Sequence, residues 1–124
     1  MNKKFIVPFD TARQLREKGY DVDCYSYYTQ NGKLYHDTFT LNNKWIRMGR
    51  FLAPTYHEVV DWLQEKGIRI EVRVAYQFRE RKWSWCGYVY VVEDEDYETS
   101  QLADWCSTRE QALNASILKA LEML

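Results

Sequence analysis

From Ile68 to Phe78 the chain alternates almost without a break. Ile68, Ile70, Val72, Val74, Tyr76 and Phe78 are apolar, while Arg69, Glu71, Arg73, Gln77 and Arg79 are polar, with Ala75 the one exception. A period of two sends successive side chains to opposite faces of a pleated strand, so this stretch must be a half-buried β-strand. A turn around Arg79–Lys82 then leads back along Trp83 to Val92. Pairing Phe78 with Trp83 predicts Tyr76 against Trp85, Val72 against Val89 and Ile70 against Val91 on an apolar face. The opposite face then holds Arg73 with Tyr88 and Glu71 with Tyr90. Register matters here, because a slip of one residue turns every side chain to the other face.

The rest of the chain supplies a second hairpin and three helices. Asn31-Gly32 is the preferred pair for a two-residue turn. Pairing outward from Gln30 and Lys33 sets Tyr28 opposite Tyr35, Cys24 opposite Phe39 and Val22 opposite Leu41 on the expected core side. Ser26 and Asp37 form a polar pair among them. A first helix is expected over Thr11 to Lys18, with Asp10 as its cap and Gly19 at its end. Thr55-Tyr56-His57-Glu58 is a capping box, and Tyr56, Val59, Val60 and Leu63 follow as one apolar stripe, closed by Gly67. Ser107-Thr108-Arg109-Glu110 repeats the box before a terminal helix whose stripe is Leu113, Ile117, Ala120, Leu121 and Leu124. An edge strand through Trp45 to Leu52 and a short strand around Ala103 to Cys106 complete the order α-β-β-(β)-α-β-β-α. The expectation is an α+β fold: two β-hairpins in a mainly antiparallel sheet of four to five strands, with about three helices packed on it.

At 124 residues, with no repeat or linker, the chain reads as a single domain over 1–124. Ten Tyr, five Trp and five Phe raise the aromatic share to 16%, and such rings serve both cores and binding surfaces. The net charge of −1 gives no global pull toward nucleic acid or an anionic membrane. It is unevenly spread: Lys44 to Lys82 holds nine Lys and Arg against five acids, and Glu93 to Asp104 six acids and no base. The three scattered cysteines and the short apolar opening before Asp10 point to a cytoplasmic protein with reduced thiols, without membrane contact.

The chemical motifs each meet a plainer explanation. His57-Glu58-Val59-Val60-Asp61 approximates a zinc helix with Asp61 in place of the second histidine, but Glu58 is already used by the capping box. The acidic run Glu93 to Glu98, aligned as a calcium loop, meets Thr99 and Trp105 where glycine and glutamate are needed. Cys24 and Cys86 read as small apolar residues. Cys106, just before a helix, is the least inert thiol. The sequon at Asn114 falls inside a helix. No catalytic residue, metal site or cofactor is therefore expected, and binding is favoured over catalysis.

Two surfaces remain as binding candidates. Arg69, Arg73, Arg79, Arg81 and Lys82 lie near Tyr88, Tyr90, Trp83 and Trp85 in the register above, the two tryptophans on the apolar side, which would suit single-stranded nucleic acid through stacking and phosphate contacts. Trp62, flanking the apolar stripe of its helix, is a further contact candidate. The terminal helix, apolar almost to its last residue, is a core element or a homodimer face. A protein partner or self-association is the first expectation, and nucleic acid the second.

The segment Ala53-Pro54-Thr55-Tyr56-His57-Glu58-Val59-Val60-Asp61-Trp62-Leu63-Gln64-Glu65-Lys66 and the closing Arg109-Glu110-Gln111-Ala112-Leu113 to Glu122 carry a resemblance. The chain resembles a group of small uncharacterised proteins of gut anaerobic bacteria and their phages or mobile elements. The resemblance implies an accessory role in phage or mobile-element biology, and brings no activity or site residues with it.

Overall fold

A computed structural model describes residues 5–41, 49–95 and 108–124. The elements follow the expected order: α1 (Phe9–Glu17), β1 (Cys24–Tyr28), β2 (Leu34–Leu41), β3 (Phe51–Leu52), α2 (Tyr56–Glu65), β4 (Arg69–Arg79), β5 (Lys82–Glu93) and α3 (Arg109–Glu122). The protein is α+β, and the strand pairs among the described residues are antiparallel. Among the described residues the strands divide into two sheets, β2-β1-β3 and β4-β5, so the two hairpins do not share one. The expected strands at 45–48 and 103–106 lie outside the described residues.

Helix ends form where local chemistry provides for them. Thr55 and Glu58 close the capping box of α2, with Thr55 N–H donating to Glu58 Oε1 at 3.0 Å. The box of α3 sits one residue later than expected, on Thr108 and Gln111, because Thr-x-x-Gln satisfies the same orphan N–H groups as Ser-x-x-Glu. Helix α1 begins at Phe9 with extended Pro8 as its cap, which places Asp10 inside the first turn, 3.8 Å from Arg13. Pro8 has no side chain that can accept from the first-turn N–H groups, so α1 begins without a side-chain cap.

The first hairpin is one residue out of the expected register. Tyr28 pairs with Leu34, Tyr27 with Tyr35 and Ser26 with His36. Gly32 alone is left-handed (φ 84°), Asn31 is not, and Thr29 N–H reaches Lys33 O at 2.9 Å. The loop is thus three residues long with glycine at its left-handed position, the other common hairpin closure. The shift turns Tyr35 outward and Leu34 toward the core, and a second irregularity between Cys24 and Ser26 brings Leu41 opposite Cys24, so that Leu41 packs against the core as expected while Phe39 is exposed. On β1 the expected alternation holds, with Cys24, Ser26 and Tyr28 buried.

The core lies where β1, β3 and the three helices meet. Phe9 of α1 packs its ring on Tyr28 and Phe51, and Tyr28 Oη donates to Val7 O at 2.7 Å. Val59 and Leu63 of α2 and Ile117 and Leu121 of α3 complete it. Trp62 belongs here too. It is 3% exposed, edge-on to Tyr20 at 5.2 Å, because α2 is covered on a wider arc than a single stripe. Leu124, by contrast, falls outside the buried stripe of α3, which Ala112 and Ser116 complete.

Candidate functional site, an aromatic β-ribbon arm

Strands β4 and β5 pair along their whole length, from Arg69–Glu93 at the base to Arg79–Lys82 at the tip. At roughly 3.4 Å per residue the ribbon is about 35 Å long. Its base is held, since Ile70, Val72, Tyr90 and Val92 pack into the core beneath α2 and α3. Its outer part is not. From Tyr76 to Trp85 every residue is exposed on both faces, so the ribbon stands out as an arm.

Two backbone features shape this arm. Glu80 and Arg81 both adopt positive φ (53° and 63°), closing a two-residue turn with side chains where glycine or asparagine is the usual choice. Further in, the register shifts between Ala75 and Tyr76: Tyr76 pairs with Trp85, but Ala75 pairs with Gly87. Cys86 is the extra residue of a β-bulge, its thiol 3.4 Å from Ala75 O, and Gly87 takes φ 137°.

The bulge corrects the expected faces. Pairs Phe78/Trp83 and Tyr76/Trp85 stand as expected, but beyond Cys86 the partners become Val74/Tyr88, Val72/Tyr90 and Ile70/Val92. Tyr88 and Tyr90 therefore lie on the apolar face with the other rings, away from Arg73 and Glu71. Tyr90 is only 8% exposed, and Tyr88 packs edge-on against Trp85 at 5.8 Å. The signal was present in the sequence, because a lone glycine inside a strand pattern marks a bulge.

The expected basic and aromatic set is thus split. Arg69 and Arg73 lie on the polar face, where Arg69 pairs with Glu93 at 2.5 Å and Arg73 holds Glu71 through two hydrogen bonds of 2.9 and 3.0 Å. The hydrogen bonds from Arg73 keep the Glu71 carboxyl below its usual range. Arg79, Arg81 and Lys82 cluster at the tip and make no ion pair among the described residues. Trp62 is in the core and offers no contact surface.

What remains open is the aromatic face. Tyr76, Phe78, Trp83 and Trp85 are 58%, 55%, 69% and 51% exposed, and Val74 beside them is half exposed. Phe78 and Trp83 lean together at 5.1 Å. An aromatic side chain covers about 150–250 Å² when buried, so these four rings leave roughly 400–500 Å² of apolar surface in water. That lies within the roughly 300–600 Å² of the largest apolar patch on a typical monomer, a patch that is often functional. Compared with protein-family models, with curated proteins and with solved structures, the chain matches none.

Elsewhere Phe39 of β2 and Tyr25 of β1 also stand exposed, while several other surface features are satisfied by the protein itself. Tyr27 and Tyr35 stack at 5.6 Å, with Arg50 over Tyr27 at 5.0 Å and Lys33 over Tyr35 at 5.3 Å. Their ring faces are already covered by the protein's own cations. Ser26 Oγ lies 2.6 Å from His36 Nδ1, but Ser26 is turned into the core and presents no nucleophile. Among the described residues no three His, Cys, Asp or Glu side chains gather as a metal site. Asn114 accepts a hydrogen bond from Thr11 Oγ1 at 2.6 Å, tying α3 to α1. Cys106 and residues 96–98 of the acidic run lie outside the described residues.

Proposed function

We propose that this protein is a non-enzymatic binding module whose β4–β5 arm presents its aromatic face to a protein partner or to another copy of itself. The exposure of Tyr76, Phe78, Trp83 and Trp85 on one side of one ribbon carries this reading. A two-stranded ribbon has too little core to be stable by itself in water. Rings on a projecting ribbon gain most when a second apolar surface covers them. A cytoplasmic setting accords with the free Cys24 and Cys86. No helix among the described residues is long and apolar enough to cross a membrane. The role fits the accessory function in phage or mobile-element biology that the resemblance implies.

A photo-reactive phenylalanine at Phe78, compared with one at Gln77 on the opposite face, tests the reading in cells making the protein. Cross-linked adducts should form from position 78 and be at least several-fold scarcer from position 77. Adducts in equal yield from both positions, or from neither, would sink it.

Nucleic acid is the second reading, narrowed to the part of the expected set that lies at the tip. Arg79, Arg81 and Lys82 at the tip adjoin rings free to stack, which is the composition of a single-strand platform. It requires that anisotropy of a labelled oligonucleotide rise with protein and fall back with salt.

A further inference from the structure

On the body of the molecule, the starts of α2 and α3 converge on a cavity of two lobes, about 140 and 190 Å³ in volume. Tyr56, His57, Arg109 and Leu113 line both. The smaller lobe adds Val60 of α2 with Ile70 and Val72 of β4, all half-buried aliphatic side chains. The larger adds Phe5, Thr55 and Glu110. Taken as one cavity, the lobes lie at the low end of the roughly 300–1,000 Å³ of small-ligand sites. One end is thus apolar and the other is charged.

Three polar groups of this cavity are unpartnered among the described residues. Tyr56 is only 7% exposed, yet its hydroxyl makes no hydrogen bond there. Buried polar groups nearly always find a partner, so this one is open to a ligand. Burial first, and then the nearby Glu110 carboxylate, raise the phenol above its usual range, which leaves it a donor. Arg109 and Glu110 are opposite charges side by side, and neither forms an ion pair among the described residues. Tyr56 and His57 open α2 as Arg109 and Glu110 open α3, at positions whose N–H groups the capping boxes do not use. Two positive helix ends and a guanidinium therefore adjoin a single carboxylate.

The geometry points to a site for a free α-amino acid with a branched aliphatic side chain. Its carboxylate meets Arg109, the Tyr56 hydroxyl and the two helix starts. Its ammonium meets Glu110, and its side chain enters the lobe of Val60, Ile70, Val72 and Leu113. A monocarboxylate with the same apolar body would satisfy Arg109 but leave Glu110 facing a like charge. An amine would satisfy Glu110 and leave the helix ends and Arg109 unanswered. A zwitterion answers both signs within one head group. The site lies away from the rings of the arm and stands independently of their partner.

Isothermal titration calorimetry of the full chain with L-leucine tests this. A dissociation constant between about 10 μM and 1 mM is expected for a ligand of so few atoms. Two analogues test the head group without any variant: 4-methylpentanoate lacks the ammonium and 3-methylbutylamine lacks the carboxylate. Each should bind at least about tenfold more weakly, the effect of losing a hydrogen bond to a charged group. Arg109→Gln and Glu110→Gln should each weaken leucine by about the same factor, and Tyr56→Phe by roughly fivefold. Val60→Trp, which fills the apolar lobe, should abolish binding, and Gln77→Ala on the arm should leave it intact. Circular dichroism checks that each variant is folded. No heat from leucine or either analogue up to about 10 mM, well above that expected range, overturns the site. Binding of 4-methylpentanoate as tight as that of leucine overturns the zwitterion as its ligand. Leucine binding indifferent to both Arg109→Gln and Val60→Trp overturns the cavity as its place.

Discussion

Tyr20 and Cys24 lie together in the core, and burial holds both in their neutral forms. The thiol is pushed up to about 12 by burial and then by the Glu58 carboxylate. The phenol is raised further, by burial first and then by Cys24 and Glu58. In the unfolded chain the same groups ionise near 8.5 and 10. Each therefore contributes stability that is full below its unfolded value and is lost as pH climbs toward its folded one. Denaturant midpoints at pH 7.5 and 10.5 should differ by about 2–3 kcal/mol in stability. Tyr20→Phe with Cys24→Ala should remove most of that difference, and an undiminished slope in that variant would show that other groups cause it. Ellman's reagent should likewise miss Cys24 in the native protein.

Elements were legible in the sequence to a degree that faces were not. The order of helices and strands follows from capping boxes at Thr55 and near Thr108, and from the alternation through Ile70 and Phe78. Registers depend on single backbone conformations that periodicity does not report. Asn31-Gly32 fits a two-residue turn as well as a three-residue one, and only the latter puts Tyr35 outside. Gly87 absorbs one residue of β5, which moves Tyr88 and Tyr90 from the arginine face to the ring face. The arm was thus visible as a hairpin, but the register beyond Cys86, and with it the face of Tyr88 and Tyr90, was not. At the arm's turn, Glu80→Asn with Arg81→Gly should relieve left-handed strain by about 1 kcal/mol. Amide exchange at Phe78 and Trp83 should slow by roughly fivefold if that strain is real, and unchanged exchange would show that the turn costs nothing.

Across the whole molecule, two bodies of unequal solidity share one chain. The helices and the first sheet bury their apolar residues with one another, whereas the outer arm buries almost none of its own. In the Phe78→Ser, Trp83→Ser chain, amide protection should therefore fall steeply from Val92 to Ser84, and trypsin should cut first after Arg79, Arg81 or Lys82. Equal protection along β5 would mean that the arm is held by contacts of its own. The bulge at Cys86 has a consequence for descent. Across it, Trp83 and Trp85 share a face with Tyr88 and Tyr90 only because one residue has been added between odd and even positions. Substitutions along this strand alter one side chain at a time, but a one-codon deletion would rotate the entire outer arm by half a turn. Related chains that keep this surface are expected to vary freely in the identity of residue 86 and not at all in the spacing across it.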